Sequence, residues 1–166
     1  NSALDANSEV GPVNLLLHSL FSEVDVKLND VIISSTNNTY AYRAYIESLL
    51  SYGEEAKSSH LTAAMFYKDK ANKMDDANPL HANANPGLKS RQAFFGESAT
   101  VDMIDRIHSD IFYQQKYLTN DVTLRIRLIR SNNNFCLMSS QPNNNYKIPI
   151  KDCKIFIRKV KLSPSV

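Results

Sequence analysis

The sequence of 166 residues is short of several things that common chemistries need. It has two cysteines, Cys136 and Cys153, too few for a disulfide framework. It has four glycines, and none has the spacing of a phosphate-cradling loop. No Gly-x-Ser-x-Gly elbow and no His-Glu-x-x-His occurs. The longest apolar run is Leu15-Leu16-Leu17, ended by His18, against the roughly 18 apolar residues that a membrane-spanning helix requires. The four histidines, His18, His60, His81 and His108, are scattered, and none stands three or four positions from another histidine, a cysteine or a paired carboxylate in a clear ligand pattern, so spacing gives no zinc motif. Asp102 and Asp105 are three apart and would share a helix face, where a solvated surface explains them more simply than acid–base work.

What is present describes one folded domain, 1–166. Hydrophobic residues make up 43% and charged residues 22%, enough apolar material for one core. Asparagine is abundant, with runs at 132–134 and 143–145 that mark polar turns. Charge is unevenly spread: residues 1–120 carry 10 Lys+Arg against 15 Asp+Glu, and residues 121–166 carry 9 against 2. The basic end defines a candidate contact surface of Arg125, Arg127, Arg130, Lys154, Arg158, Lys159 and Lys161. A footprint on nucleic acid, an acidic neighbour and an ordinary solvated face are the three readings of such a patch.

Hydrophobic periodicity gives a coarse map. Residues 13–22 have near-helical spacing. Val24, Val26 and Leu28 alternate with polar residues as a strand, Asn29-Asp30 turns the chain, and Val31-Ile32-Ile33 returns. Residues 40–52 predict a helix whose stripe is Tyr42, Tyr45, Ile46, Leu49 and Leu50, with Gly53 as the stop. A second helical stretch covers 61–67, and 68–90 reads as a long loop. Val101, Met103, Ile104, Ile107 and Ile111 fit either an amphipathic helix or a strand. Strands are expected at 122–130, 135–138, 146–150 and 153–162. The fold class expected from this pattern is mainly β, an antiparallel sandwich with a helical insertion at about 40–67.

Candidate chemistry is sparse. Cys136 with His108 or His18 would be the one nucleophile pair, but a cysteine inside Phe135-Cys136-Leu137-Met138 reads as a small buried hydrophobe. Asn37-Asn38-Thr39 is a glycosylation sequon should the chain be secreted. The tyrosines between 40 and 67 read as packing rather than a stacking platform. Catalytic residues, cofactor-binding residues and metal ligands are therefore all expected to be absent, and the protein is expected not to be an enzyme.

Several segments are more specific than their composition. Gly11-Pro12-Val13-Asn14, Leu17-His18-Ser19-Leu20-Phe21-Ser22-Glu23-Val24-Asp25-Val26, Tyr42-Arg43-Ala44-Tyr45-Ile46-Glu47-Ser48-Leu49-Leu50-Ser51-Tyr52-Gly53, Phe66-Tyr67-Lys68-Asp69, Arg127-Leu128-Ile129-Arg130-Ser131 and Phe156-Ile157-Arg158-Lys159-Val160-Lys161 follow in this order. Together they resemble the capsid-type proteins of Polinton/Maverick elements and the related adintoviruses, from about residue 9 onward. The resemblance implies a double jelly-roll major capsid protein, of which this chain would be part of the first jelly roll, beginning after its first strand and ending before the second sandwich. It implies homotrimeric capsomers in a capsid lattice, contact with other capsid proteins and packaged DNA, no membrane and no small-molecule substrate. It places the protein in virions and, within the host cell, in cytoplasm or nucleus. The alternative is a host-adopted β-sandwich module that holds nucleic acid on its basic end. Such binding would weaken steeply with salt.

Overall fold

A computed structural model describes residues 3–5, 7–34, 37–141 and 145–161. Five strands are present among them: β1 (Val10–Pro12), β2 (Phe21–Leu28), β3 (Val31–Ile32), β4 (Leu124–Arg130) and β5 (Leu137–Ser139). They form one two-stranded sheet, β1–β5, and one three-stranded sheet in the order β3–β2–β4, all antiparallel. Five helices accompany them: α1 (Leu16–Ser19), α2 (Tyr40–Ser51), α3 (Glu54–Ser58), α4 (Pro86–Ala93) and α5 (Asn133–Cys136).

This corrects the expected mainly-β jelly roll. Two small sheets and five helices among the described residues are not the two packed sheets of an eight-stranded sandwich. The physical reason lies in pairing. Alternation makes a segment fit one face of a sheet, but a strand exists only where a neighbouring edge accepts its backbone hydrogen bonds. Residues 101–109, 146–150 and 153–161 alternate or are rich in β-formers, yet none joins a ladder. Leu162, the expected end of the last strand, lies outside the described residues, as do Asn143 and Asn144 of the second asparagine run.

The central hairpin follows its local chemistry. Asn29 and Asp30 both take left-handed backbone angles, φ 46° and 67°, which these two residue types tolerate and which match the twist of a two-residue hairpin. β4 pairs along almost all of β2, from Leu28↔Leu124 to Phe21↔Arg130, with an irregularity between Phe21 and Glu23. Val24 and Val26 are buried, with Tyr40, Ile107, Leu124, Ile126 and Leu128 packed around them.

α2 is a helix as its periodicity predicts, but it buries the opposite residues. Tyr40, Ala41, Ala44 and Ser48 face inward, whereas Tyr42, Ile46, Leu49 and Leu50 of the expected stripe are exposed and its Tyr45 is half-buried against the core. Ala44 packs among Leu15, Leu61, Ala64 and Phe66. Small side chains at 41, 44 and 48 let α2 lie close against α1, and that close approach outweighs the larger apolar stripe. Gly53 has ordinary φ of −73° and precedes α3 as its N-cap. It does not form the left-handed stop expected of it. The stretch expected to be helical at 61–67 is a short 3₁₀ turn, His60–Ala64, closed by Met65 at φ 64°.

The expected loop at 68–90 contains the start of α4. Asn85-Pro86-Gly87 is its cap, with the Asn85 side chain accepting from the Gly87 amide at 3.2 Å and Pro86 at the first turn. α4 delivers Arg91, fully buried, into a set of backbone acceptors. Arg91 donates to Pro12 O at 2.9 Å, to Tyr67 O at 2.8 Å and to the Asp69 carboxylate at 3.0 Å. Asp69 also accepts from Asn85 at 2.8 Å. Burial costs Arg91 some of its affinity for a proton, but the paired Asp69 and three donated bonds hold the charge in place. No Cβ fits at Gly87, where it would meet Asp69 Oδ1 at 2.4 Å and two backbone oxygens at 2.8 Å.

Candidate functional site

The region 101–109 is extended and lies against the helices without joining a sheet. Its amide contact is Ile104 N–H to Ala63 O at 3.1 Å. Val101, Met103, Asp105 and Ile107 are partly buried, while Asp102, Ile104 and Arg106 are exposed. This period of two turns Asp105 inward with the apolar residues and leaves Asp102 in solvent. The two aspartates therefore do not share a face.

Asp105 meets His18 of α1. His18 Nε2 donates to Asp105 Oδ2 at 3.2 Å, and the Tyr40 hydroxyl bonds His18 Nδ1 at 3.0 Å. His108, the buried residue that follows Ile107 in the same run, stands beside them. Its backbone N–H donates to Tyr40 Oη at 3.3 Å, and its Nδ1 donates to Glu47 Oε2 of α2 at 2.7 Å. A carboxylate accepts only, so these partners place the His108 proton on Nδ1 and leave Nε2 with a lone pair. Glu47 is held in turn by Arg43 at 2.6 Å, and Arg43 also pairs with Asp110. Tyr113 Oη lies 3.3 Å from His108 Nδ1, and the Arg106 guanidinium sits over the Tyr113 ring at 5.1 Å.

The surroundings tune these groups. Burial is the largest influence on His108 and lowers its affinity for a proton, outweighing the Glu47 hydrogen bond. Burial pushes Asp105 up, but the hydrogen bonds from His18 and the Arg106 amide, with the nearby imidazoles, take it below the usual carboxylate range. Glu47 follows the same balance: burial raises it, and His108 and Arg43 bring it below its ordinary value. Burial lifts the Tyr40 hydroxyl to about 12, so it stays protonated. One donor atom from each of His18, Asp105 and His108 lies within 4.8 Å of the other two. A pocket of about 220 Å³, lined by Val24, Ser34, Tyr40, Arg43, His108 and Ser109 among others, opens beside them. Asp105 and His108 are three positions apart in the chain, but spacing could not disclose their meeting with His18 of α1 and Tyr40 and Glu47 of α2. The one local signal was the Val101/Met103 alternation, which carries Asp105 on the same face.

The sequence-derived basic residues fall into two groups. Arg125 and Arg127 lie on the polar face of β4 and are committed locally: Arg125 pairs with Asp30, and Arg127 stands 3.8 Å from Asp25. With Lys27 they line a groove of about 410 Å³. Arg130 turns its guanidinium onto Ile148 O at 2.7 Å. Lys154 pairs with Asp152 at 2.6 Å. Arg158, Lys159 and Lys161 stand exposed on the extended stretch 151–161, together with the apolar Ile155, Phe156, Ile157 and Val160. Cys136 is fully buried, with its thiol donating to Ser19 O at 3.2 Å and pushed up in pKa by burial, in the surroundings of a packing residue.

Comparison with known proteins adds one relative. An uncharacterized protein of Caenorhabditis elegans, F54H12.2, is 25% identical over 126 residues, covering 76% of this chain and 27% of the nematode protein. The chain thus spans about a quarter of that relative's length. No family model matches the chain. No solved structure matches it. Among the described residues no helix is long and apolar enough to cross a membrane.

Proposed function

We propose that this chain is part of a structural subunit that assembles with copies of itself, as the capsid protein of a virus or of a transposable element, through trimeric capsomers. The observation that carries the proposal is apolar surface left uncovered. On α2, Tyr42, Ile46, Leu49 and Leu50 share one exposed face, and Tyr42 meets Phe135 edge to face at 5.6 Å, extending it. On 151–161, Phe156 is 80% exposed, with Ile155, Ile157 and Val160 beside it. Single exposed apolar side chains are ordinary, but a helix face of four, continued by Phe135, matches a surface that a neighbour covers. The resemblance of the ordered segments from Gly11 to Lys161 supports the same reading. It does not depend on a closed sandwich, since contact area rather than strand count makes a shell, and obligate interfaces bury about 2,000 Å² or more.

The nucleic-acid alternative draws less support, because Arg125 and Arg127 already face acidic partners on the sheet.

Light scattering after size exclusion, on this chain and on the full product of its gene, tests the proposal. The full product is expected to run as trimers or larger assemblies, and Leu50→Glu with Phe156→Glu is expected to shift it toward monomer. A monomer at every concentration overturns the proposal.

A further inference from the structure

We propose that His18, Asp105 and His108 form a binding site for one divalent transition-metal ion of the Zn²⁺ type, an inference that stands apart from the assembly reading. Two imidazoles and one carboxylate are a donor set that suits Zn²⁺, with a fourth position left to water. The spacing is close to what coordination needs. Ligand atoms at the usual bond length around a tetrahedral metal are separated by roughly 3.3 Å. His18 Nε2 and Asp105 Oδ2 are already 3.2 Å apart, and all three donors lie within 4.8 Å of one another. Bringing the third donor from as far as 4.8 Å to roughly 3.3 Å is a movement of about 1.5 Å.

The groups behind the donors have the arrangement that metal-bound histidines use. His108 keeps its Nδ1 proton on Glu47 at 2.7 Å and is free to present Nε2, and Arg43 anchors Glu47. His18 binds through Nε2 once its proton resides on Nδ1, where Tyr40 Oη at 3.0 Å accepts it. The Tyr40 hydroxyl hydrogen then turns to the adjoining pocket, which Tyr40 and His108 both line. His18 and His108 are 3% and 2% exposed, so this is a built interior site and not a chance meeting of surface side chains. A bound ion would tie the unladdered run 101–109 to α1, supplying across the gap the rigidity that missing strand hydrogen bonds do not.

The test is titration of the chelator-treated 166-residue chain with Zn²⁺ and with Co²⁺. One equivalent of Zn²⁺ is expected to bind by calorimetry and to raise the melting temperature, and Co²⁺ is expected to give the intense visible bands of a four-coordinate nitrogen–oxygen site. His18→Gln and His108→Gln are each expected to weaken binding at least tenfold, and Glu47→Gln about tenfold, the lower end for a group behind a ligand. His81→Ala, at the separate exposed pair with Asp76, is expected to change nothing. Should a histidine variant fail to fold, the near-isosteric Asp105→Asn and the wild-type Co²⁺ spectrum still decide. Absence of stoichiometric binding by the wild type, or equal affinity in the variants at 18, 105 and 108, overturns the proposal.

Discussion

The imidazole rings of His18 and His108 meet edge to face, with centroids 4.7 Å apart and planes at 86°. One ring is carried by a four-residue helix and the other by an extended run with no sheet partner. Each is oriented by its own carboxylate, Asp105 for His18 and Glu47 for His108. The contact is therefore a clasp: it fixes a segment that backbone hydrogen bonds alone would leave loosely held. The same clasp sets up the donor atoms of the metal proposal.

Acidification should loosen the clasp in chelator-treated protein. His108 has its folded pKa depressed, so the unfolded chain takes up the proton first and stability starts to fall below pH about 6.5. Asp105 and Glu47 also have depressed folded values, so their contribution is present above the ordinary carboxylate range and is lost as pH falls through the folded values. All three act in one direction. Melting temperature is expected to decline from pH 7 to pH 4, and His108→Gln is expected to remove the part of the decline nearest pH 6. A melting temperature independent of pH across that range would contradict this account.

Arg91 should be the costliest single side chain to truncate on the α4 side. Arg91→Met leaves the largely covered Asp69 without its cation and strips donors from the buried side of Pro12 O and Tyr67 O. Breaking a buried pair in this way costs about 3–5 kcal/mol. Urea unfolding followed by circular dichroism measures it, and a loss below 1 kcal/mol would contradict the prediction. Gly87→Ala should also destabilise, because its Cβ has backbone oxygens in its way that cannot swing aside.

The two faces of α2 should respond in opposite senses. Ala44→Leu overfills a fully buried site and is expected to cost about 1–3 kcal/mol in urea unfolding. Leu50→Glu, at a residue 82% exposed, is expected to change stability by less than about 0.5 kcal/mol. If Leu50→Glu destabilised more than Ala44→Leu, the inward face would be the large apolar stripe after all.

Arg158, Lys159 and Lys161 should dominate any residual affinity for DNA. Gel-shift titrations at two salt concentrations are expected to show weak binding that falls with salt and is lost in the triple Glu variant. Charge reversal at Arg125 and Arg127 is expected to act less on DNA than on the sheet, because Asp30 and Asp25 are their neighbours. Equal effects of the two variant sets would show one continuous basic surface instead.

Local chemistry settled the parts of this protein that answer to neighbours in the chain. Asn29-Asp30 specifies its turn because those side chains tolerate left-handed backbone, and the alternation at 124–130 specifies a strand with one wet face. Residues 40–51 are helical because their apolar residues recur with helical spacing and Arg43 meets Glu47 one turn on. Which face of that helix goes inward was decided by tertiary packing, where Ala41, Ala44 and Ser48 admit a closer neighbour than Tyr42 or Leu50 would. Whether the alternating runs at 101–109 and 153–161 became strands depended on the presence of an accepting edge, a property of the assembled fold and not of the runs. His18, Asp105 and His108 were each visible as residues, but only the folded chain brings donors from a helix and an extended run within 4.8 Å, since contacts between distant segments leave no periodic trace in either one.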